Sequence, residues 1–179
     1  MDTKLPYRYT KTELEQLLDS LTVLIDTREN KNEHITDYFN QFDINYKSKK
    51  LDYGDYSFML PEAPKLGIAK DIYFTDQVVV ERKANLNELS GNLAQERQRF
   101  ENELIRANNC RFILLIEDGQ GYENIVNHNY RTKYKPKSYL GSLLAFQHRY
   151  NLDIQFIDPD YSGQFIRYEF HYYLREFLK

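Results

Sequence analysis

The sequence predicts a single α/β domain in which helices flank a central mixed β-sheet. Segments with strand-like and helix-like periodicity alternate along the chain, and two early strand-like segments are separated only by a turn at residues 52–55. Alternating strands and helices are typical of layered α/β domains, and an early hairpin adds antiparallel pairing. The chain of 179 residues has the length of one domain and contains no internal repeat or low-complexity tract.

The composition indicates a soluble globular protein, with 28% charged and 41% hydrophobic residues and a formal net charge of −3. This charge does not exclude a nucleic-acid binder, because an acidic site beside a local basic patch averages out. Cys110 is the only cysteine, so no internal disulfide can form. The longest aliphatic run, residues 113–116, is too short to span a bilayer, and the N-terminus lacks a signal-peptide h-region. We therefore expect an intracellular, cytoplasmic protein without a membrane partner.

The first half of the chain is predicted to form helices over residues 10–20 and 32–42, each with apolar residues at helical spacing. Prolines and a glycine predict a surface loop over residues 61–70. The predicted strands cover residues 22–25, 44–51, 56–60 and 71–83, the last with an interruption near residues 75–76.

The second half is predicted to alternate three helices with two strands. An apolar stripe that Arg97 interrupts predicts one long helix over residues 87–108. Pro136 opens the next helix, which runs to about Tyr150. The remaining elements are strands over residues 112–116 and 152–157 and a last helix over residues 164–179.

Three acidic residues stand where predicted strands end or begin, namely Asp26, Asp55 and Glu81. Open α/β sheets place their ligands at such positions. Glu81 and Lys83 point to the same side of their strand, because successive side chains alternate. Oxygen ligands in this number suit Mg²⁺ or Mn²⁺, and the chain has no Cys/His cluster that would suit zinc. These residues predict attack on a phosphodiester by a water that a metal activates, with Lys83 orienting or deprotonating the water or stabilising charge.

Three short motifs carry a resemblance to a known family. Leu24-Ile25-Asp26-Thr27-Arg28-Glu29, Gly54-Asp55-Tyr56 and Val80-Glu81-Arg82-Lys83 resemble the nuclease domain of the XPF family of structure-specific DNA endonucleases. The resemblance covers residues 21–157. It implies a restriction-endonuclease-like fold with three layers, a central mixed sheet between helices.

The resemblance also implies roles for individual residues. Asp26, Asp55 and Glu81 would hold the metal, and Lys83 would be the catalytic lysine. The supporting residues would be Arg28, Glu29, Arg82 and, on the following helix, Arg97, with Arg99 as the alternative. The cofactor would be Mg²⁺, with Mn²⁺ as a substitute.

The sequence departs from the family pattern in two places. The last position of the motif is Asn87 instead of Asp, with Glu88 one place later, and we interpret this position as a structural cap or first-turn anion. Residues 1–20 are predicted to be an N-terminal helical extension and residues 21–179 the XPF-type nuclease domain, without a helix-hairpin-helix module. Such a stand-alone domain would suit a microbial or phage genome.

Two further surfaces are predicted in the last third of the chain. Residues 130–138 mix cations with aromatics, which suits phosphate contact and base stacking, although a solvated loop is the alternative. The predicted DNA-binding residues are Arg131, Lys133, Lys135 and Lys137. The helix after Pro136 is apolar on more than one side, and by resemblance the C-terminal helices would form a homodimer; a role in the core alone is the alternative.

The prediction is therefore a Mg²⁺-dependent DNA endonuclease that cleaves branched, flapped or forked DNA. One alternative is a Holliday-junction resolvase or an exonuclease on the same fold. The other is a non-catalytic DNA-binding or scaffold subunit.

Overall fold

The computed structural model of the protein describes residues 8–179 and confirms an α/β fold with a mixed sheet between two helical layers. The strands within these residues are β1 (Thr22–Ile25), β2 (Asn45–Ser48), β3 (Tyr56–Leu60), β4 (Ile72–Tyr73), β5 (Val78–Lys83), β6 (Arg111–Glu117) and β7 (Asp153–Ile157). The helices are α1 (Lys11–Ser20), α2 (Glu33–Gln41), α3 (Leu86–Leu93), α4 (Arg97–Arg106), α5 (Gly121–Val126), α6 (Pro136–Tyr150) and α7 (Ser162–Phe177). Residues 1–7 of the predicted N-terminal extension lie outside the described residues.

The strand order is β2-β1-β3-β5-β6-β7, with β4 beside β3. β3 is antiparallel to both β1 and β5, whereas β5, β6 and β7 are parallel to one another. The predicted hairpin between residues 44–51 and 56–60 is wrong, because β2 pairs in parallel with β1 instead. The polar strand β2 is exposed along its whole length, so it occupies the edge of the sheet, whereas the apolar β1 lies inside it.

The two faces of the sheet bury different apolar residues. Val78 and Val80 of β5 belong to the core formed with α1, α2 and α7. Val79 belongs to the core formed with α3, α4 and α6. All three valines are fully buried, as expected for a strand inside a three-layer domain.

The single helix predicted over residues 87–108 is in fact two helices, α3 and α4. The helix breaks after Leu93, where the carbonyl of Gly91 accepts hydrogen bonds from the backbone amides of Ala94 and Glu96. The break lets Leu93 and Phe100 both reach the core, and both are buried. Gly91 lowers the helical propensity locally, so tertiary packing decides where the helix ends.

The remaining differences are small. The interruption predicted near residues 75–76 is confirmed, since the carbonyl of Phe74 accepts bonds from the amides of Gln77 and Val78. Helix α5 was not predicted, because six residues are too short for a periodic signal. Leu17 and Leu18 of helix α1 pack into the same core as α7.

Within residues 8–179 no helix combines the length and the apolar character needed to cross a membrane.

Candidate active site

The predicted acidic residues meet at one end of the sheet because β3 runs antiparallel to its two neighbours. The start of β3 therefore lies beside the ends of β1 and β5. The backbone amide of Asp26 donates to the carbonyl of Asp55 (2.8 Å), and the amide of Asp55 donates to the carbonyl of Val80 (2.9 Å). The amide of Arg82 donates to Oδ2 of Asp55 (2.8 Å), which fixes that carboxylate at the end of β5.

A glycine makes the approach of β3 to β5 possible. Gly54 has φ of +72°, and a Cβ at this position would lie 2.8 Å from Cβ of Val79. Any other residue would therefore be strained and would collide with the core strand. The Gly54 amide donates to Oε1 of Glu103 on α4 (3.0 Å), which ties the turn before Asp55 to the helix above it.

These residues line a cavity of about 630 Å³. Residues 28–31 after β1 form one wall, and α3 with the first part of α4 forms the other. The carboxylates that face the cavity include the predicted Asp55, Glu81 and Glu29 together with the unpredicted Glu88, Glu96 and Glu103. The site is therefore more acidic than the motifs alone indicate.

Glu81 and Lys83 form an ion pair on the cavity side of β5. The Lys83 ammonium donates to Oε1 of Glu81 at 2.6 Å, lies 4.0 Å from Oε1 of Glu88, and faces the ring of Phe100. Lys83 and Glu81 are each only 6% exposed. Burial alone would lower the pKa of Lys83, but the Glu81 carboxylate raises it above its ordinary value. Lys83 is therefore a charged group at neutral pH.

The two carboxylates at the floor of the cavity resist ionisation. Burial raises the pKa of Asp55 well above its ordinary value, and the negative charges of Glu81 and Glu29 raise it further. Burial also raises the pKa of Glu81, to about 6, with Glu103 adding to the rise and Lys83 opposing it. Crowded carboxylates of this kind favour the binding of a cation between them.

The structure places Asp26 beside the cavity and not in its lining. Its Oδ1 accepts from the amide and Nε of Arg28 (2.8 and 2.7 Å), and its Oδ2 accepts from the amide of Leu51 (2.6 Å). Burial would raise its pKa, but these donors hold the pKa below the ordinary value. Its contacts join the end of β1 to the segment after β2, and its role as a metal ligand stays a prediction.

Arg82 points to the opposite side of β5 and anchors a second ion cluster. Its Nη1 donates to Oε1 of Glu29 (2.7 Å), and its Nη2 donates to Oε2 of Glu117 at the end of β6 (2.8 Å). The other oxygen of Glu117 lies 2.6 Å from Nε2 of His34, and Tyr56 Oη donates to Glu29 (3.1 Å). Arg82 and Glu117 are both about nine-tenths buried (7% exposed each). Glu29 is thus shared between this cluster and the cavity, as expected of a supporting residue.

Arg97, the predicted supporting arginine of the helix, lies away from the cavity. Its guanidinium stacks on the ring of Phe146 and donates to Oγ of Ser142 on α6. The alternative residue, Arg99, lines the cavity and pairs with Glu96 (3.1 Å). The break between α3 and α4 sets the rotation of α4, which the assumption of one continuous helix could not anticipate.

The departure at the end of the motif is structural, as predicted, although Asn85 is the residue that caps α3. Oδ1 of Asn85 accepts from the amide of Glu88 (3.0 Å), and Glu88 accepts in return from the amide of Ala84 (2.9 Å). Asn87 lines the cavity and accepts from the amide of Arg131 (2.7 Å).

The predicted DNA-binding cations lie on an exposed strip that starts at this contact with Asn87. Arg131, Lys133, Lys135 and Lys137 are all exposed. The intervening tyrosines point inward, since Tyr130 and Tyr134 both pack against the buried ring of Tyr139. The strip therefore offers cations to a ligand, whereas base stacking on these rings is not supported.

The donor set at the floor of the cavity suits Mg²⁺ or Mn²⁺. Within residues 8–179 no three His, Cys, Asp or Glu side chains are grouped closely enough to enclose a metal ion. Mg²⁺ commonly takes only one or two carboxylates and keeps several waters, which Asp55 and Glu81 can satisfy. Burial and nearby carboxylates raise the pKa of both groups, and a divalent cation between them would offset that crowding.

Comparisons with known proteins agree with this geometry. The sequence matches the ERCC4 domain family over residues 25–168. XPF from Aeropyrum pernix is similar in structure, with a TM-score of 0.61 and 18% identity, over 86% of this chain and 65% of that one. The same protein in complex with DNA is similar over 87% of this chain and 66% of that one, with a TM-score of 0.60 and 18% identity.

This chain thus spans slightly under two thirds of either Aeropyrum structure. At this identity the likeness shows a shared fold, and it confirms the predicted XPF-type architecture. Comparison with curated proteins gave no match.

Proposed function

The chain belongs to the ERCC4 domain family, and from this premise we propose that it is a metal-dependent DNA endonuclease acting on branched, flapped or forked DNA. The observation that carries the proposal is the convergence of Asp55, Glu81 and Lys83 on one cavity from two strands. A buried and a half-buried carboxylate beside a fixed ammonium are a suitable arrangement for hydrolysing a phosphodiester.

Asp55 and Glu81 are the residues proposed to hold Mg²⁺, with Mn²⁺ as a substitute. When bound there, a divalent cation supplies Lewis-acid polarisation of the phosphodiester and lowers the pKa of the attacking water. The amide of Arg82 and the bond from Gly54 to Glu103 keep the Asp55 carboxylate in place for this role. Asp26 supports the site through its backbone amide, which donates to the carbonyl of Asp55.

Lys83 acts as a fixed positive charge in this proposal. Its ion pair with Glu81 keeps the ammonium protonated and aimed into the cavity, where it orients the phosphate and stabilises negative charge that develops on it. The raised pKa argues against a role of Lys83 as the base that deprotonates water.

DNA is proposed to enter over the basic strip of residues 131–137. The strip is exposed and abuts the cavity wall through Asn87. One of the similar Aeropyrum structures is a complex with DNA, which supports the same class of ligand here.

We further propose that the protein forms a homodimer through its C-terminal helices. Tyr161, Tyr168 and Tyr172 on or just before α7 are each at least half exposed, and Leu144 on α6 is 42% exposed. The tyrosines and Leu144 lie on opposite faces of the sheet, and exposed apolar side chains on either face favour association. Sedimentation equilibrium measures the mass directly, and a monomer at micromolar concentration would contradict the dimer.

The nuclease proposal is tested with a panel of labelled flap, fork, nicked and four-way DNA in Mg²⁺, Mn²⁺ or EDTA. We expect cleavage of fork or flap substrates in either metal and none in EDTA. Asp55→Ala and Glu81→Ala should abolish cleavage without loss of fold, whereas Asp52→Ala, which removes an exposed acid from the same turn, should not.

The same panel distinguishes the alternatives. Preferred cleavage of the four-way DNA would indicate a resolvase, and stepwise shortening from an end would indicate an exonuclease. Binding without cleavage in any metal would indicate a non-catalytic subunit. Undiminished cutting by either the Asp55 or the Glu81 variant would refute the site.

A further inference from the structure

A second basic surface lies on the edge of the sheet, on the side of the cavity away from the strip of residues 131–137. Three lysines, Lys47, Lys49 and Lys50, lie in β2 and immediately after it, and we call them the lysine edge. All three are exposed. Among residues 8–179 none of them forms an ion pair with a carboxylate, although the cavity nearby is rich in carboxylates.

Lys47 and Lys49 of the lysine edge face the same side of the sheet as Glu81 and Lys83. Lys47 is paired with Leu24, whose side chain lies outside the core that Val23 forms with α2 and α7. Val79 also points away from that core, and Glu81, two residues further along β5, shares its side. Lys47 and Glu81 are therefore directed to one continuous face.

The lysines are held on this face by an aromatic ring. The ammonium groups of Lys49 and Lys47 lie 4.8 and 5.9 Å from the ring centroid of Tyr73. These contacts position the two cations beside the ring, which is itself exposed. The surface therefore offers charge to a ligand.

A chain of hydrogen bonds connects the lysine edge to the cavity. The amide of Lys49 donates to the carbonyl of Ile25 (2.9 Å), and Nη2 of Arg28 donates to the carbonyl of Leu51 (3.1 Å). The Arg28 side chain lines the cavity wall and is 63% exposed. Asp26 holds both Arg28 and the Leu51 amide, so it fixes the edge relative to the site.

We propose that the lysine edge, with Arg28, binds the phosphate backbone of one arm of a branched DNA, while the strip of residues 131–137 binds the other arm. The branch point would then lie over Asp55 and Glu81. Exposed cations that no carboxylate pairs suit phosphates, and such contacts position DNA without reading its sequence. This inference rests on the proposed nuclease function and adds where the second arm is held.

The test is the triple variant Lys47→Gln/Lys49→Gln/Lys50→Gln, bound to a fluorescent fork with two duplex arms in EDTA. Each phosphate contact changes the slope of log K against log salt by about 0.9, so three contacts should reduce it by about 2.7. We expect Kd at about 0.1 M salt to rise on the order of tenfold or more. In Mg²⁺, KM should rise while kcat at saturating fork is unchanged.

The matched control is Lys11→Gln/Lys65→Gln/Lys179→Gln, which removes the same charge from exposed positions outside both basic surfaces. Wild-type Kd and salt slope in the lysine-edge variant, or an equal loss in the control, would overturn the inference. Binding is measured in EDTA, so it does not depend on cleavage. If the wild type does not cleave DNA but the triple variant binds the fork more weakly, only the nuclease proposal is refuted. If the wild type cleaves DNA and the triple variant binds the fork as well as wild type, only the proposal for the lysine edge is refuted.

Discussion

Carboxylates lie on both sides of β5 near its C-terminal end, but their pKa values are shifted in opposite directions. On the cavity side, Asp55 and Glu81 are crowded, and the pKa of each is raised. On the other side, burial would raise the pKa of Glu117, but hydrogen bonds from Arg82 and His34 hold it below the ordinary value. The first set is crowded and has the Lys83 ammonium as a partner only at Glu81, whereas the second set is paired with Arg82. The cavity side thus holds crowded carboxylates, and the other side holds carboxylates that are paired within the protein.

The largest effect is expected from Arg82→Met, which removes the cation that Glu29 and Glu117 share. Loss of the guanidinium leaves Glu29 and Glu117 buried without their cation, so the free energy of unfolding should fall by about 3–5 kcal/mol. Urea denaturation measures this loss. Arg99→Met removes an exposed arginine and should stay within about 0.5 kcal/mol of wild type. Equal losses in both variants would contradict the comparison.

Lys83→Met should affect cleavage more than stability. The substitution removes the fixed positive charge that faces the cavity, and in the proposed nuclease the loss of one such group should lower kcat by about 10²–10³-fold. Single-turnover cleavage of the preferred substrate measures the effect. Lys31→Met, at the exposed end of the cavity wall, serves as the control, and a comparable loss there would show that only net charge matters.

Glu103 tests whether the cavity side depends on a residue that no motif contains. Glu103→Ala frees the amide of Gly54 and loosens the turn before Asp55, so kcat should fall about tenfold, the value of one hydrogen bond. Glu103→Gln retains the acceptor and should recover most of the rate. If the two variants are equally slow, the charge of Glu103 matters and its bond to Gly54 does not.

The smallest effect is a gain of stability on the cavity side. Asp55→Asn removes a poorly ionising acid and keeps an acceptor for the Arg82 amide, so the metal-free variant should be about 1 kcal/mol more stable than wild type. Added Mg²⁺ should stabilise the wild type and not the variant. Thermal unfolding with EDTA and with Mg²⁺ checks both expectations.

The same crowding predicts the pH dependence of the metal-free wild type. A carboxyl whose pKa is raised on folding binds more protons in the folded state, so stability falls as pH rises through that pKa. For Glu81 the loss runs from its ordinary pKa of 4.5 up to about 6. Asp55 acts with the same sign, so the Asp55→Asn variant should lose less stability than wild type as pH rises.

The sequence by itself determined the pattern of β5 and the chemistry placed at its end. Successive side chains of a strand point to opposite faces, so Glu81 and Lys83 share one face and Arg82 points to the other. The ion pair of Glu81 with Lys83 therefore follows from local geometry. Gly54 before Asp55 is similarly local, because the left-handed turn there requires glycine.

Only the tertiary structure decided which other side chains reach the cavity. Glu103 lies 49 residues from its partner Gly54, and the break between α3 and α4 places Arg99 instead of Arg97 at the cavity. Asp26 follows a strand as predicted, yet Arg28 supplies donors to one of its oxygens and the amide of Leu51, after β2, supplies a donor to the other. These contacts depend on how distant segments pair, for example on β2 pairing with β1 and not with β3. The pattern of residues along the chain does not specify that pairing.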